Sequence, residues 1–223
     1  MSESDQIDAC HAALGSLVPP RVGFAVDRVS QQSDSTFAEE AAHLTKAAPH
    51  RRDEFLTGRI CARIALAQVG AQPCALLADA EGVPQYPESY LASITHSRGL
   101  AAAVAGSTER LQYLGLDLEK TNRLSPAAIR RVLHPDEVDW VGQNQLRASL
   151  IFSAKEAFYK AQYPRWRTVA NFNDLCFEVD EASCQLRVAW IVDRFAPPLR
   201  EDIAQMQFRY AYFGEYVVSL CWL

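Results

Sequence analysis

The chain has 223 residues, of which 49% are hydrophobic and 22% are charged, and its formal net charge is -5. This composition is that of an ordinary globular protein with enough residues for one large domain or two small ones. The acidic balance argues against a general nucleic-acid binder, which normally carries a basic excess, but it allows a local basic pocket.

The amino-terminal stretch MSESDQIDACH lacks the basic and apolar regions of a signal peptide. The longest candidate apolar run, residues 100–106, is far shorter than the ~18 residues that a membrane-spanning helix needs. Six cysteines show no CxxC pair and no zinc-like spacing, which favours reduced thiols. We therefore expect a cytoplasmic protein without a membrane span.

The first half of the chain predicts helices followed by strands. One helix is expected from about Phe37 to Ala47, and a second follows Pro49 and stops near Gly70. The segments LASITHS and LAAAVAG then read as two strands around a turn at 98–99. The second helix carries a basic run (Arg51, Arg52, Arg59 and Arg63). Arginine suits phosphate because its planar fork donates two hydrogen bonds, although a solvated helix face would look the same.

His96 lies in SITHSRG, at the end of the first of these strands. A hydrolase nucleophile elbow, G-x-S-x-G, is absent, so a serine-histidine triad is not indicated. His96 could instead donate to a phosphate oxygen, or be structural. Neither a Walker loop nor GxGxxG is present, so phosphate binding would have to use another device.

A short half-buried strand is predicted over YLGLDLEK, residues 113–120. Side chains two apart on a strand share a face, so the carboxylates of Asp117 and Glu119 project together. Each charge raises the cost of ionising the other, which a solvated sheet edge would tolerate and a divalent cation would offset. Oxygen ligands of this kind suit Mg²⁺.

A long helix is predicted over RASLIFSAKEAFYKAQ, with another short helix near 125–132 and a strand-rich region after it. In the long helix Glu156 and Lys160 stand one turn apart on one face. They could form an ordinary surface ion pair worth ~0.3–0.5 kcal/mol. Alternatively, Glu156 is a third carboxylate near the metal and Lys160 a phosphate ligand. The buried face of this long helix is expected to consist of Ile151, Ala154, Phe158 and Ala161.

The order GRICARIAL, GVPQYP, SITHS, LGLDLEK and FSAKEAFYK resembles the 4′-phosphopantetheinyl transferase superfamily, in its larger two-half type that serves nonribosomal peptide and siderophore (enterobactin) synthesis. The resemblance runs from about residue 49 to 162. It departs at Tyr86, where the family usually has tryptophan, and at Glu81, where a basic or neutral residue is common.

The resemblance implies a site for Mg²⁺ and for coenzyme A (CoA) as co-substrate. The implied metal ligands are Asp117, Glu119 and Glu156, and the implied catalytic residues are Glu156 and Lys160. The implied CoA contacts are Arg51, Arg59, Thr95, His96, Asp117, Lys155 and Lys160, with Arg63 close by. A serine of an apo acyl or peptidyl carrier protein would attack CoA, giving holo-carrier protein and adenosine 3′,5′-bisphosphate.

The resemblance also implies an α+β fold of two similar halves, residues 1–109 and 110–223. Each half would hold a small antiparallel sheet with packed helices, related by a pseudo-twofold axis, with the active site in the cleft between them. The protein is expected to be a monomer without a nucleic-acid partner. A magnesium-dependent nuclease or phosphodiesterase, and a non-catalytic module that binds CoA or a carrier protein, remain alternatives.

Overall fold

The fold was analysed in a computed structural model that describes residues 3–30, 37–42, 44 and 47–223. The chain divides into two compact units, Met1–Gln112 and Tyr113–Leu223. Each unit has an antiparallel sheet with helices, which confirms the predicted α+β class. Over the described ranges, no helix is both long enough and apolar enough to span a bilayer.

The described part of the first unit contains a three-stranded sheet in the order β1-β3-β2, with all pairs antiparallel. The strands are β1 (Gly23–Arg28), β2 (Tyr90–Ser97) and β3 (Leu100–Ser107). The helices are α1 (Glu3–Leu17), α2 (Ala38–Ala42) and α3 (Pro49–Gln68).

The small side chains of β3 let helix α3 pack closely on this sheet. Alanines 101, 103 and 105 share one buried cluster with Cys61, Ala62 and Ala65 of α3. Strands β2 and β3 are joined at Arg98 and Gly99, which both have positive φ, of 47° and 93°. Two successive positive φ values are typical of the tight hairpin turn that the sequence predicts here.

The second unit contains a five-stranded antiparallel sheet in the order β4-β8-β7-β6-β5. The strands are β4 (Leu114–Lys120), β5 (Leu175–Asp180), β6 (Gln185–Ile191), β7 (Gln207–Phe213) and β8 (Tyr216–Trp222). The helices are α4 (Pro126–Val132), α5 (Val138–Val141), α6 (Gln145–Trp166) and α7 (Pro197–Gln205), and two 3-10 turns cover Pro135–Glu137 and Phe172–Asp174.

Strand β4 is buried on both of its faces, so the prediction of a half-buried strand is wrong. Leu116 and Leu118 are fully buried, and Gly115 on the other face is buried too. A Cβ added at Gly115 would lie 1.9 Å from the carbonyl oxygen of Ala157 and 2.8 Å from the backbone nitrogen of Ala161. Only glycine therefore allows α6 to pack this closely on the face that also carries the carboxylates.

Most predicted elements are present, and three are added. The residues predicted for the buried face of α6 are buried, and Ser125 caps α4 by accepting a hydrogen bond from the backbone N–H of Ala128. The helix predicted over 37–47 is observed as α2, and residues 43, 45 and 46 lie outside the described residues. Elements α1, β1 and α7 were not predicted.

Candidate functional site

An acidic site in the second unit is built from β4 and α6. Strand β4 supplies Asp117 and Glu119, and helix α6 supplies Glu156 and Lys160. The Asp117 side chain is only 4% exposed, while Glu119 and Lys160 are half-buried. Because Gly115 brings the strand and helix together, the structure places these four predicted residues in one electrostatically coupled group.

The electrostatics of this group favour a bound cation. Burial, together with the charge of Asp117, raises the pKa of Glu119 to about 7. Burial also raises the pKa of Glu156, and the Asp117 charge adds to that increase. Both glutamates therefore hold protons more tightly than an ordinary carboxyl group. A divalent cation would reverse this effect, because it stabilises the ionised form of every carboxylate near it.

Lys160 contacts the strand carboxylate directly. Its Nζ donates a hydrogen bond of 2.7 Å to Oδ1 of Asp117. This contact joins α6 to β4, across 43 residues of sequence. It is therefore not the surface ion pair of Glu156 and Lys160 that their spacing within the helix would allow. A charged donor is thereby fixed beside the acidic group, where it can meet a phosphate oxygen.

The donor chemistry of this group fits Mg²⁺, which prefers carboxylate oxygens and keeps several waters or phosphate oxygens as further ligands. Among the described residues, the one trio of possible ligand atoms within 4.8 Å of one another is different and comprises His134, Asp136 and Cys176. That trio suits a softer metal, and Nδ1 of His134 already accepts a hydrogen bond from the backbone N–H of Asp136. The ligand atoms of Asp117, Glu119 and Glu156 do not all lie within 4.8 Å of one another.

Lys155 has a different environment from the one predicted. Its Nζ donates to Oε2 of Glu137 at 2.6 Å and to the carbonyl of Val132 at 2.9 Å, and its side chain is 3% exposed. Glu137 also accepts the backbone N–H of Phe177. A buried ammonium held in this way is not available to a phosphate, so we correct its predicted CoA contact to a structural role.

The first unit brings two of the predicted phosphate ligands together. Nη1 of Arg51 lies 3.0 Å from Nε2 of His96, although the two residues are 45 apart in sequence. Both are arranged around Glu54, which the sequence analysis did not single out. The Arg51 side chain is 62% exposed, so it is accessible to a ligand from solvent.

The other residues of the first unit that were predicted to contact CoA are more deeply buried. Arg59 is buried, donates from Nε to the carbonyl of Leu76 and covers the ring of Phe55. Arg63 forms a 2.5 Å ion pair with the buried Glu40. Thr95 is buried and neighbours His96 on β2, so the two side chains point to opposite faces of the sheet.

A cavity of about 280 Å³ lies beside Glu156 in the second unit. Its lining is mainly apolar: Lys155, Glu156, Phe158, Tyr159, Val169, Ala170, Asn171, Phe172 and Leu175. Two aromatic residues of α6, Phe158 and Tyr159, therefore form part of the wall of this cavity. The sequence did not reveal it, because the opposite wall comes from residues 169–175.

Family comparisons match most of the chain from residue 39 onwards. The profile of the 4′-phosphopantetheinyl transferase N-terminal domain matches residues 39–106, and that of the 4′-phosphopantetheinyl transferase superfamily matches residues 113–221. The chain belongs to the 4′-phosphopantetheinyl transferase superfamily. The second match includes all of β4 and α6, and thus every acidic residue of the candidate site.

Several relatives within this superfamily are similar in sequence. The chain is 35% identical to 4′-phosphopantetheinyl transferase Svp of Streptomyces mobaraensis, over 65% of this chain and 61% of Svp. It is 34% identical to 4′-phosphopantetheinyl transferase PptT of Mycobacterium tuberculosis, over 64% of this chain and 65% of PptT. Enterobactin synthase component D of Salmonella typhi is 33% identical, over 53% of this chain and 51% of that protein. The chain thus spans less than two thirds of each relative's length.

Among solved structures, the holo-ACP synthase of Plasmodium yoelii covers 51% of this chain and 94% of its own, with 20% identity and a TM-score of 0.40. A CoA complex of the Chronobacterium ammoniagenes ACPS covers 49% of this chain and 94% of its own, with 22% identity and a TM-score of 0.37.

Proposed function

We propose that this superfamily member transfers 4′-phosphopantetheine from CoA to a serine of an apo acyl or peptidyl carrier protein. The products are holo-carrier protein and adenosine 3′,5′-bisphosphate. The observation that carries this proposal is the coupled group of Asp117, Glu119, Glu156 and Lys160, inside the span that matches the superfamily. The named relatives, which include two 4′-phosphopantetheinyl transferases, support it.

Asp117, Glu119 and Glu156 are proposed to hold Mg²⁺ together with the pyrophosphate of CoA. When bound, the ion supplies a positive charge that neutralises the pyrophosphate and acts as a Lewis acid. Lys160 provides part of such a positive charge to Asp117 through its hydrogen bond of 2.7 Å. Phosphoryl transfer depends mainly on positioning and charge stabilisation, so a site of this composition suits it.

In the proposed reaction the serine Oγ forms a bond to the β-phosphorus of CoA, and the bond from that phosphorus to the bridging oxygen breaks. Glu156 accepts the serine proton, directly or through a water. Carboxylates are among the side chains that serve as general bases in such transfers. Lys160 stabilises the charge that develops on the leaving adenosine bisphosphate.

Two further parts of CoA have candidate sites. The 3′-phosphate suits Arg51 and His96, whose nitrogen atoms lie 3.0 Å apart and of which Arg51 is mostly exposed. Arg59 stays a proposed ligand of the same phosphate. Thr95 also stays a proposed CoA contact. Because its side chain points away from that of His96, its backbone is the group proposed to make this contact. The pantetheine arm suits the mainly apolar cavity beside Glu156.

The carrier belongs, in this proposal, to nonribosomal peptide, siderophore or polyketide synthesis. The similarity to enterobactin synthase component D supports a siderophore or peptide pathway. The monomeric state, the cytoplasmic location and the lack of a nucleic-acid partner stay predictions.

Glu156→Gln tests the assigned base without changing side-chain size. We expect turnover of an apo carrier protein to fall about 10²–10⁴-fold. The affinity for CoA in Mg²⁺ should fall much less, because Asp117 and Glu119 remain as metal ligands. Glu201→Gln, on an exposed position of α7, is the matched control. Unchanged turnover would rule out the role of Glu156. Cleavage of DNA by the same protein would favour a nuclease, and CoA binding without transfer would favour a binding module.

A further inference from the structure

The side chain of Glu54 is the centre of a cluster that the proposed chemistry does not use directly. One of its oxygens, Oε1, lies 3.1 Å from Nε2 of His50 and 3.4 Å from Nδ1 of His96. The other, Oε2, lies 3.2 Å from Nη1 of Arg51. Glu54 itself is 9% exposed, whereas the side chains of Arg51 and His50 are mostly exposed.

This geometry assigns a hydrogen-bond direction to His96. Nη1 of Arg51 can only donate, so Nε2 of His96 accepts from it across 3.0 Å. In the neutral ring the proton is then on Nδ1, the nitrogen that faces Glu54. A carboxylate at Nδ1 fixes the ring orientation and also stabilises the doubly protonated ring, in which Nε2 gives up the hydrogen bond from Arg51 and donates to an anion instead.

The same carboxylate makes it possible for several cationic side chains to stay close together. Arg51 and a protonated His50 or His96 would repel one another without an anion between them. Glu54 is fixed on the buried side of α3 and faces the sheet, while the donors around it reach solvent. The Glu54 carboxylate thus lies on the buried side of the cluster, and the N–H donors lie on its solvent side. This arrangement presents the N–H groups to an anionic ligand.

We propose that Glu54 is a positioning residue for an anion site formed by Arg51 and His96, and that this site takes the 3′-phosphate of CoA. The inference rests on the proposed function, and it adds a residue that does not itself touch the phosphate. An acidic side chain in a phosphate site would ordinarily weaken binding by repulsion. Here it strengthens binding, because it holds both donors in place.

The test compares CoA with 3′-dephospho-CoA, which lacks only the group in question, by calorimetric titration in Mg²⁺. Glu54→Gln keeps the shape of the side chain and should weaken CoA binding about tenfold. Binding of 3′-dephospho-CoA should change less than about twofold, because its contacts do not involve this cluster. Glu54→Asp should restore part of the CoA affinity, and the exposed Glu109→Gln should behave as wild type.

Each result decides between defined alternatives. A merely structural role for Glu54 predicts an equal loss for both ligands, and repulsion predicts tighter CoA binding by Glu54→Gln; either result would overturn the proposal. If the wild type discriminates between the ligands and Glu54→Gln matches it, only the role of Glu54 fails. If the wild type binds both ligands equally, or neither, the 3′-phosphate assignment fails and this proposal fails with it. Carrier modification by the wild type is measured separately, and its absence would count against the proposed function.

Discussion

Lys160 and Asp117 form a 2.7 Å hydrogen-bonded ion pair between α6 and β4. The lysine therefore occupies the same carboxylate that is proposed to bind Mg²⁺. An arriving cation and a pyrophosphate would compete for both partners, because the cation attracts Asp117 and the phosphate attracts Lys160. Binding of the metal and the phosphate should therefore replace the Lys160–Asp117 ion pair with two new ones. Asp117 would then pair with the cation and Lys160 with the phosphate, so neither charge is left unpaired.

Lys160→Met tests this exchange. We expect turnover to fall about 10²–10³-fold, because the leaving phosphate loses its charged donor. Affinity for Mg²⁺ alone should not fall, since Asp117 is released from its ion pair. Calorimetric titration with Mg²⁺ and a carrier-modification assay measure the two quantities. Weaker Mg²⁺ binding with normal turnover would show that Lys160 organises the metal ligands and takes no part in transfer.

Glu119→Gln should stabilise the metal-free protein, and more so at pH 8 than at pH 5. The ordinary pKa of 4.5 is raised to about 7 in the folded protein, so the folded state binds the Glu119 proton more tightly than the unfolded state. This contribution to stability is present below pH 4.5 and is lost as pH rises through 7. The variant removes a penalty of up to about 3 kcal/mol at pH 8.

The measurement is thermal unfolding in EDTA at both pH values, with 1 kcal/mol corresponding to about 2–4 °C for a protein of this size. Adding Mg²⁺ should stabilise the wild type more than the variant. The difference in Tm between the two proteins is the relevant quantity, because other titrating groups cancel in it. The same difference at both pH values would contradict the raised pKa of Glu119.

The Lys155–Glu137 pair should contribute to stability and not to binding of the CoA phosphates. Glu137→Gln leaves a buried ammonium without its anion and should cost about 3–5 kcal/mol of unfolding free energy. Combining it with Lys155→Met should recover part of that loss. Urea unfolding of both single variants and the double variant gives the coupling energy. The double variant should keep the KM for CoA within about threefold, and a larger rise would return Lys155 to the CoA site.

Gly115→Ala should destabilise the second unit and impair the acidic site together. The new Cβ would lie 1.9 Å from the carbonyl oxygen of Ala157, so β4 and α6 must separate. We expect a cost of about 3 kcal/mol or more, measured by urea unfolding. Gly15→Ala is the control, because its Cβ would meet only the ring of Phe24 at 3.1 Å and a side chain can yield. Equal stabilities of the two variants would contradict the close packing.

Periodicity and turn chemistry were sufficient to predict β2, β3, β4, α3 and α6, because each has a regular apolar pattern with clear ends. Helix α1 also has such a pattern, with Cys10, Leu14 and Leu17 buried, but its polar surroundings concealed it. The half-buried prediction for β4 failed at Gly115. A glycine carries no hydrophobic signal, yet it lets a helix cover the strand.

The candidate site was predictable in its residue types and less so in its pairings. Glu156 and Lys160 were chosen from one helix face, yet Lys160 binds a carboxylate 43 positions away. Lys155 stood beside them in sequence and turned out to be paired with Glu137 inside the unit. Glu54 is one charge in a charged helix and has no further signal in the sequence. Each of these outcomes depends on contacts between distant segments, which local spacing does not encode.

The most direct test of the central proposal is intact-mass analysis of an apo peptidyl or acyl carrier protein after incubation with this protein, CoA and Mg²⁺. We predict a gain of one phosphopantetheine on the carrier, which is lost in EDTA and with Glu156→Gln. No gain across several carrier types, or a gain that persists undiminished in EDTA, would contradict the account.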